Sequence, residues 1–526
     1  MNLKNKTASF LLIATILVSA GCSMSDEEPP PNILLLVADD LGWSDIGAYG
    51  SEVATPNLDA LAFEGVRFTQ FHTVPKCFPS RATMLTGLYP EQVGRATEPY
   101  SAFSAGTTIA ESLSAAGYRT YMVGKHHGTD NPLDFGFDHY SGLRDGASNH
   151  FNPGISARPG EPEPARKRGI REAGRWFCFD RECQRGWMPD DPDYYSTDNY
   201  TDWALGYLED AASAGQPFFL YVAYQAPHDP LHAWPEDIGR YQIQYRDGYE
   251  LIGRNRYRKM QELGLIDDSF PRAAATHRDW GAMTVADRSD AIQRMAVYSA
   301  MIDRLDQNIG RLVARLQETG ELDNTLIVFT SDNGASAELV FAEDSDEEIG
   351  AEYPIGTVGR WASLGADWAN VSNTPFRMYK NYSHEGGSAV PLILHWPSGI
   401  DRAGAIVHDN THAIDLVPTL LAAADTRAGG DITLPGIDLT PYLGSDETPH
   451  RNDPTFTRWS KGRSVRTARW KLVSWAGDEE SAEDGQWQLY DMWVDKTETD
   501  DVAAEHPEVV RDLAAAYGKW LESVTD

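Results

Sequence analysis

The chain has 526 residues, 41% of them apolar and 23% charged, which is enough for two or three domains around a large buried core. Its formal charge of −33 sets aside nucleic acid as a partner. An anionic substrate would need a local positive pocket, because the surface as a whole repels it.

The N-terminus does not read as part of the fold. Lys4 and Lys6 precede an apolar run from Phe10 to Val18 that is too short to span a bilayer and stay there. Ser19-Ala20-Gly21-Cys22 follows and resembles a bacterial lipobox, with an ordinary signal peptide cut nearby as the alternative. Residues 1–22 are therefore expected to be a lipoprotein signal peptide with Cys22 acylated, and residues 23–31 a Pro-rich polar tether. The body is expected to be exported, periplasmic or at the surface of a bacterium, touching membrane only through that anchor. Of the four cysteines, Cys22 belongs to the signal and Cys77 is left over. Cys178 and Cys183 lie close together in an irregular stretch, where export allows them to pair.

Short apolar runs mark strands buried on both faces: Asn32 to Ala38, Thr120 to Val123, Pro217 to Tyr224, Thr325 to Thr330 and Pro391 to His395. Helical patterns lie between them. Thr107 to Ala116 carries Ile109, Leu113 and Ala116, and Met295 to Leu316 carries a stripe through Tyr298, Ile302, Leu305, Ile309 and Leu312. This alternation predicts an α/β fold with a large, mostly parallel or mixed sheet flanked by helices. From about residue 446, Val465 to Val473 and Trp487 to Met492 read as antiparallel strands, and a last helix runs from about Pro507 to Val524. Residues 32–445 are thus expected to form the catalytic domain and 446–526 a smaller C-terminal α+β subdomain with an antiparallel sheet.

The chemistry-bearing residues cluster after the predicted strands. Asp39-Asp40 follows the first, and Asp332-Asn333-Gly334 follows Thr325–Thr330. Ligands of open α/β sheets bind beyond the carboxyl ends of strands. All four positions offer oxygen, so a metal held there should be hard, Ca²⁺ before Mg²⁺. Gly124-Lys125-His126-His127-Gly128 follows another strand, and Ala226-Pro227-His228-Asp229-Pro230 a fourth. Cys77-Phe78-Pro79-Ser80-Arg81 opens a stretch ending in Leu85-Thr86-Gly87, and one helical turn puts Cys77 and Arg81 on one face. A nucleophile beside a permanent cation suits attack on an anionic ester.

With Cys77 to Gly87, the sequence resembles the formylglycine-dependent sulfatases, whose signature is C-x-P-S-R-x-x-x-L-T-G, and the bacterial arylsulfatase branch in particular. The resemblance extends over Thr55 to Leu61, Lys125 with His127, the Ala226-Pro227-His228 element, Lys380 with Glu385-Gly386-Gly387, and Leu489 to Asp491. His126 stands where that family has Trp and the following Leu is missing, which leaves the acting histidine between 126 and 127, with His127 the match.

The resemblance implies an alkaline phosphatase-like fold and oxidation of Cys77 to formylglycine by a maturation enzyme. It implies one Ca²⁺ held by Asp39, Asp40, Asp332, Asn333 and residue 77, and hydrolysis of an aryl or carbohydrate sulfate monoester. In that scheme Arg81, Lys125 and Lys380 offset the sulfuryl charge, His228 protonates the leaving oxygen and His127 takes the proton that releases sulfate. Two other readings stay open. One is a phosphonate monoester or phosphodiester hydrolase of the same superfamily; the other is a surface lipoprotein that binds glycans without turnover. The loop at 154–175, with Arg158, Arg166, Lys167, Arg168, Arg171 and Arg175, is either solvated surface or a positive lip for a polyanion.

Overall fold

The computed structural model describes residues 29–97, 103, 106–167, 173–430, 432–444, 451–475 and 486–525. The expected signal peptide, the tether up to residue 28, and Arg168 and Arg171 of the basic loop lie outside the described residues.

The first strand, β1 (Asn32–Asp39), shows why continuous apolar runs become central strands. Leu34, Leu36 and Ala38 pack into one hydrophobic core, while Ile33, Leu35 and Val37 pack into a second on the opposite face. Side chains alternate across a strand, so a run without polar interruption is needed to satisfy both. The same partition holds for β7 (Phe218–Pro227) and β8 (Thr325–Ser331), the two parallel neighbours of β1.

The other strands of this sheet are β2 (Val66–His72), β3 (Arg119–Gly124), β4 (His139–Leu143), β5 (Trp176–Phe179), β6 (Glu182–Arg185), β9 (Ala389–His395), β10 (Ile406–Val407) and β11 (Thr411–His412). The order is β10-β2-β9-β8-β1-β7-β3-β4-β5-β6, with β11 also beside β2, making eleven strands. Strand β9 runs antiparallel to both its neighbours, as does β5, and the edge strand β6 runs antiparallel to β5, so the sheet is mixed. Cys178 and Cys183 face each other across the β5–β6 hairpin and form a disulfide, so the stretch expected to be irregular is a two-stranded ladder.

The helix predicted over Met295 to Leu316 is real and longer, Val285–Thr319. Thr284 starts it, its hydroxyl accepting from the Asp287 N–H, and Gly320 ends it at φ 74°. Every residue of the predicted stripe is buried in the first core. The shorter predicted helix is Ile109–Ala115, opened by a capping box between Thr108 and Glu111.

The C-terminal sheet is antiparallel and four-stranded: β12 (Thr455–Trp459), β13 (Gly462–Arg466), β14 (Trp470–Trp475) and β15 (Trp487–Asp491). The run from Val465 to Val473, read as strand, is broken by the turn at residues 467–469. The helix Pro507–Thr525 closes this unit, with Trp520 stacked on Phe456 at 4.9 Å between ring centres. Among the described residues no helix is long and apolar enough to cross a membrane.

Candidate active site

Four strand ends, one helix start and one loop converge on a buried point. Strand β1 delivers Asp39 and Asp40 together because Asp40 adopts φ 63°, which breaks the alternation that would send successive side chains to opposite faces. From β8, Asp332 Oδ1 accepts the Asp40 N–H at 3.2 Å and Asn333 Nδ2 donates to Asp40 Oδ1 at 2.6 Å. Cys77 is the first residue of the helix Cys77–Thr86, and its Sγ lies 3.7 Å from Asp40 Oδ1.

Three cations surround these acids, all at most 2% exposed. Lys125, after β3, pairs with Asp39 Oδ2. Lys380 donates to Asp40 Oδ2 at 2.8 Å. Arg81 holds Asp332 Oδ2 through Nε at 2.9 Å and Nη2 at 2.7 Å, and donates from Nη1 to the Lys125 carbonyl at 3.0 Å. Arg81 therefore fixes an acid and the Cys77 helix, and its charge reaches Asp39 only across 3.8 Å. Burial works against the charge of Lys125 and Lys380. It is the largest single influence at each, but Asp39, Cys77 and Asp332 together outweigh it at the first and Asp40, Cys77, Glu338 and Asp39 at the second, so both ammonium groups lie above the ordinary lysine range. Burial, then Asp332, pushes the Cys77 thiol well up.

Lys380 is delivered by a loop that glycines allow to fold tightly. A Cβ on Gly334 would stand 2.0 Å from the Gly386 carbonyl oxygen, and one on Gly387 would stand 2.0 Å from that of Tyr382. The Asp-Asn-Gly and Glu-Gly-Gly motifs are two sides of one backbone contact, closed by the Gly334 N–H donating to the Gly387 carbonyl at 3.1 Å.

His228, after β7, turns Nε2 inward, 3.4 Å from Lys380 Nζ and 3.5 Å from Asp40 Oδ2. Its Nδ1 meets Asp229 Oδ1 at 2.8 Å and the Asp229 carbonyl at 2.6 Å, which leaves Nε2 as the nitrogen that faces the cluster. Asp229 is held in turn by Ser363 Oγ at 2.6 Å and Trp361 Nε1 at 3.1 Å. Sequence alone assigns Asp229 no role and does not point to Glu338. Glu338 pairs with Lys76 at 2.7 Å and Lys380 at 3.5 Å in a segment that carries no periodic or motif signal.

The two adjacent histidines separate. His126 Nε2 pairs with Asp130 at 3.0 Å, and its ring packs near Phe135. His127 is half-buried with its ring 5.8 Å from that of Phe78, the residue after Cys77, and desolvation together with Lys125 and Arg81 holds it well below the usual histidine value. The basic loop does not form a uniform lip. Arg158 is buried, bound to Glu161 and to the carbonyls of Phe151 and Asp191. Arg175 donates to the Ala147 carbonyl, Arg166 reaches the Gly154 carbonyl, and Lys167 lies over the Trp361 ring at 5.1 Å.

The donor set suits a hard divalent cation. Asp39 Oδ1 and Asn333 Oδ1 are buried and accept no hydrogen bond, a costly state for a polar oxygen unless a cation is there to meet it. Ligand atoms of Asp39, Asp40, Cys77 and His228 lie within 4.8 Å of one another.

Comparison with known proteins places this site in a family. The sulfatase family profile matches residues 31–426. An arylsulfatase of Klebsiella aerogenes is 34% identical over 439 residues, covering 79% of this chain and 91% of that protein. The steryl-sulfatase of Mus musculus is 30% identical over 498 residues, 86% of this chain and 73% of its own. Among solved structures, Ps i-CgsB superposes with a TM-score of 0.68 at 26% identity, covering 94% of this chain and 93% of that one. The chain belongs to the sulfatase family and is a sulfate ester hydrolase.

Proposed function

We propose that the protein hydrolyses the sulfate monoester of an aryl or carbohydrate alcohol, using formylglycine made from Cys77 by a maturation enzyme and one Ca²⁺. One observation carries this reading: four oxygen-bearing side chains on two strand ends meet Cys77 between three buried cations. Asp39, Asp40, Asp332 and Asn333 would hold the calcium. When present, the calcium supplies a hard positive charge for sulfuryl oxygens and the formylglycine supplies the oxygen nucleophile.

The chain's own residues do the rest. Three carboxylates against three cations leave the cavity close to neutral, so a dication and an anionic ester offset each other on entering. Lys125 and Lys380 meet the sulfuryl oxygens, and Arg81 keeps Asp332 in register. His228 Nε2 gives a proton to the leaving oxygen while Asp229 fixes Nδ1. His127, held neutral, is suited to accept a proton. The names of similar proteins support the substrate class: an arylsulfatase, a steryl-sulfatase, and Ps i-CgsB, which was also solved with k-i-k-neocarrahexaose. The lipobox-like Ser19 to Cys22 supports export to the periplasm or cell surface.

The test compares an aryl sulfate with an aryl phosphonate, using protein co-expressed with a formylglycine-generating enzyme. Sulfate turnover should dominate, fall on treatment with EGTA, and return with added Ca²⁺. Faster phosphonate turnover, or full activity after chelation, would overturn the reading. His228→Ala should lower kcat by ~10²–10⁴-fold, and a twofold effect would remove His228 from its role.

A further inference from the structure

Beside the buried site lies a cleft of about 910 Å³, bounded by the start of the helix Val285–Thr319 and by segments around residues 339–351 and 360–368. It adjoins the site. Leu364 lines both this cleft and the recess that holds His228, Asp229 and Glu338, and Leu339 follows Glu338 directly in the chain. The cleft therefore neighbours the recess into which His228 faces.

Its walls combine exposed apolar surface with acid. Leu339 and Phe341 are 49% and 44% exposed at its edge. Its three guanidiniums are all committed. Arg278 pairs with Asp367 at 2.7 Å, Arg294 with Asp290 at 2.6 Å and Glu348 at 2.5 Å, and Arg360 with Glu348 at 3.0 Å. Asp346 and Glu347 also line the cleft, are exposed, and make no ion pair among the described residues. None of the described cations of the 154–175 loop lines it. A second sulfate lying here would meet carboxylates and no uncommitted cation, which disfavours it. Hydroxyls would find acceptors, and the apolar faces of a ring would find Phe341 and Leu339.

We propose that this cleft seats the alcohol portion of the substrate and selects one that is extended, rich in hydroxyls and free of further anionic groups. The natural substrate is then a sparsely sulfated molecule cleaved at one ester. This inference rests on the sulfatase reading above and narrows it.

The test uses matured enzyme and three aryl sulfates that differ only in a para substituent long enough to enter the cleft: hydroxylated, sulfonated or ammonium-bearing. Both kcat/KM and calorimetric affinity are measured. The hydroxylated compound should exceed the sulfonated one by about tenfold in kcat/KM. Asp346→Asn with Glu347→Gln should bring that ratio to within about threefold, through the sulfonated compound alone. Glu508→Gln with Asp512→Asn makes the same charge change on the exposed C-terminal helix, outside the cleft, and should leave the ratio unchanged. Equal rates for the three compounds overturn the proposal, as does a remote pair that shifts the ratio as much as the cleft pair. If no compound is hydrolysed, it is the sulfatase reading that fails. The order of affinities, and its response to the two double variants, then still upholds or overturns the charge preference of the cleft.

Discussion

Replacing Cys77 by Ala is expected to lower sulfate ester turnover by ~10⁴-fold or more, the scale seen when a covalent nucleophile is removed. Stability should change little beside that. Cys77 is 1% exposed and contributes one sulfur atom to the cluster, so its loss leaves a small polar void rather than a collapsed core. The ligand set should survive, since Asp40 keeps its bonds from Lys380 and Asn333. Two measurements separate chemistry from folding. Thermal unfolding should give a Tm within a few degrees of the parent, and mass spectrometry of the peptide around residue 77 should show the thiol-to-aldehyde mass change in active parent protein only. A Cys77→Ala variant with near-parental activity would sink the proposed role of this side chain.

Much of this site was legible because strands buried on both faces announce themselves. In β1, β7 and β8 an apolar run is followed closely by an acid or a histidine, and that ending points to the carboxyl edge of the sheet. The helix over Met295 to Leu316 was legible for the matching reason, a stripe at helical spacing facing one core. Strand β2 was not legible. It is buried throughout yet carries Arg67, Gln70 and His72, whose polarity is met by partners far along the chain: the Ala48 carbonyl, Arg466 and Glu385. The support of His228 was hidden for the same reason. Asp229 depends on Trp361 and Ser363, more than a hundred residues away, and nothing local marks either. Neither reading of the 154–175 loop foresaw that Arg158 turns inward, where a guanidinium can satisfy backbone carbonyls as readily as an anion.

The Lys380 loop leads to the second large effect. Glu385, five residues after Lys380, is fully buried and receives His72 Nε2 at 2.9 Å and Lys471 Nζ at 2.7 Å. Lys471, on β14 of the C-terminal sheet, also pairs with Glu498 Oε1 at 2.8 Å, and Glu498 Oε2 accepts the Glu385 N–H at 3.0 Å. One ammonium thus joins two buried carboxylates and ties the C-terminal sheet to the loop that carries a site cation. Lys471→Met should destabilise the protein by ~3–5 kcal/mol, because it strands buried charge rather than merely removing a contact. The pH dependence has a definite sign. Burial alone would raise Glu385, but His72 and then Lys471 hold it below the usual carboxylate range. In the parent, Glu385 therefore stabilises the fold above its unfolded value of ~4.3, and that contribution is lost as pH falls through its folded value. Without Lys471 the His72 contact remains, but part of what holds Glu385 down is gone, so its folded value moves up and the stabilisation it gives above ~4.3 shrinks. The deficit measured by urea unfolding should be larger at pH 6 than at pH 3, where the carboxyl of the variant takes up its proton. Adding Glu498→Gln to Lys471→Met should recover part of it, since one stranded carboxylate is then gone. A deficit independent of pH, or a double variant worse than the sum of its parts, would show that Lys471 acts by packing its stem, and that the loop bearing Lys380 is held by other means.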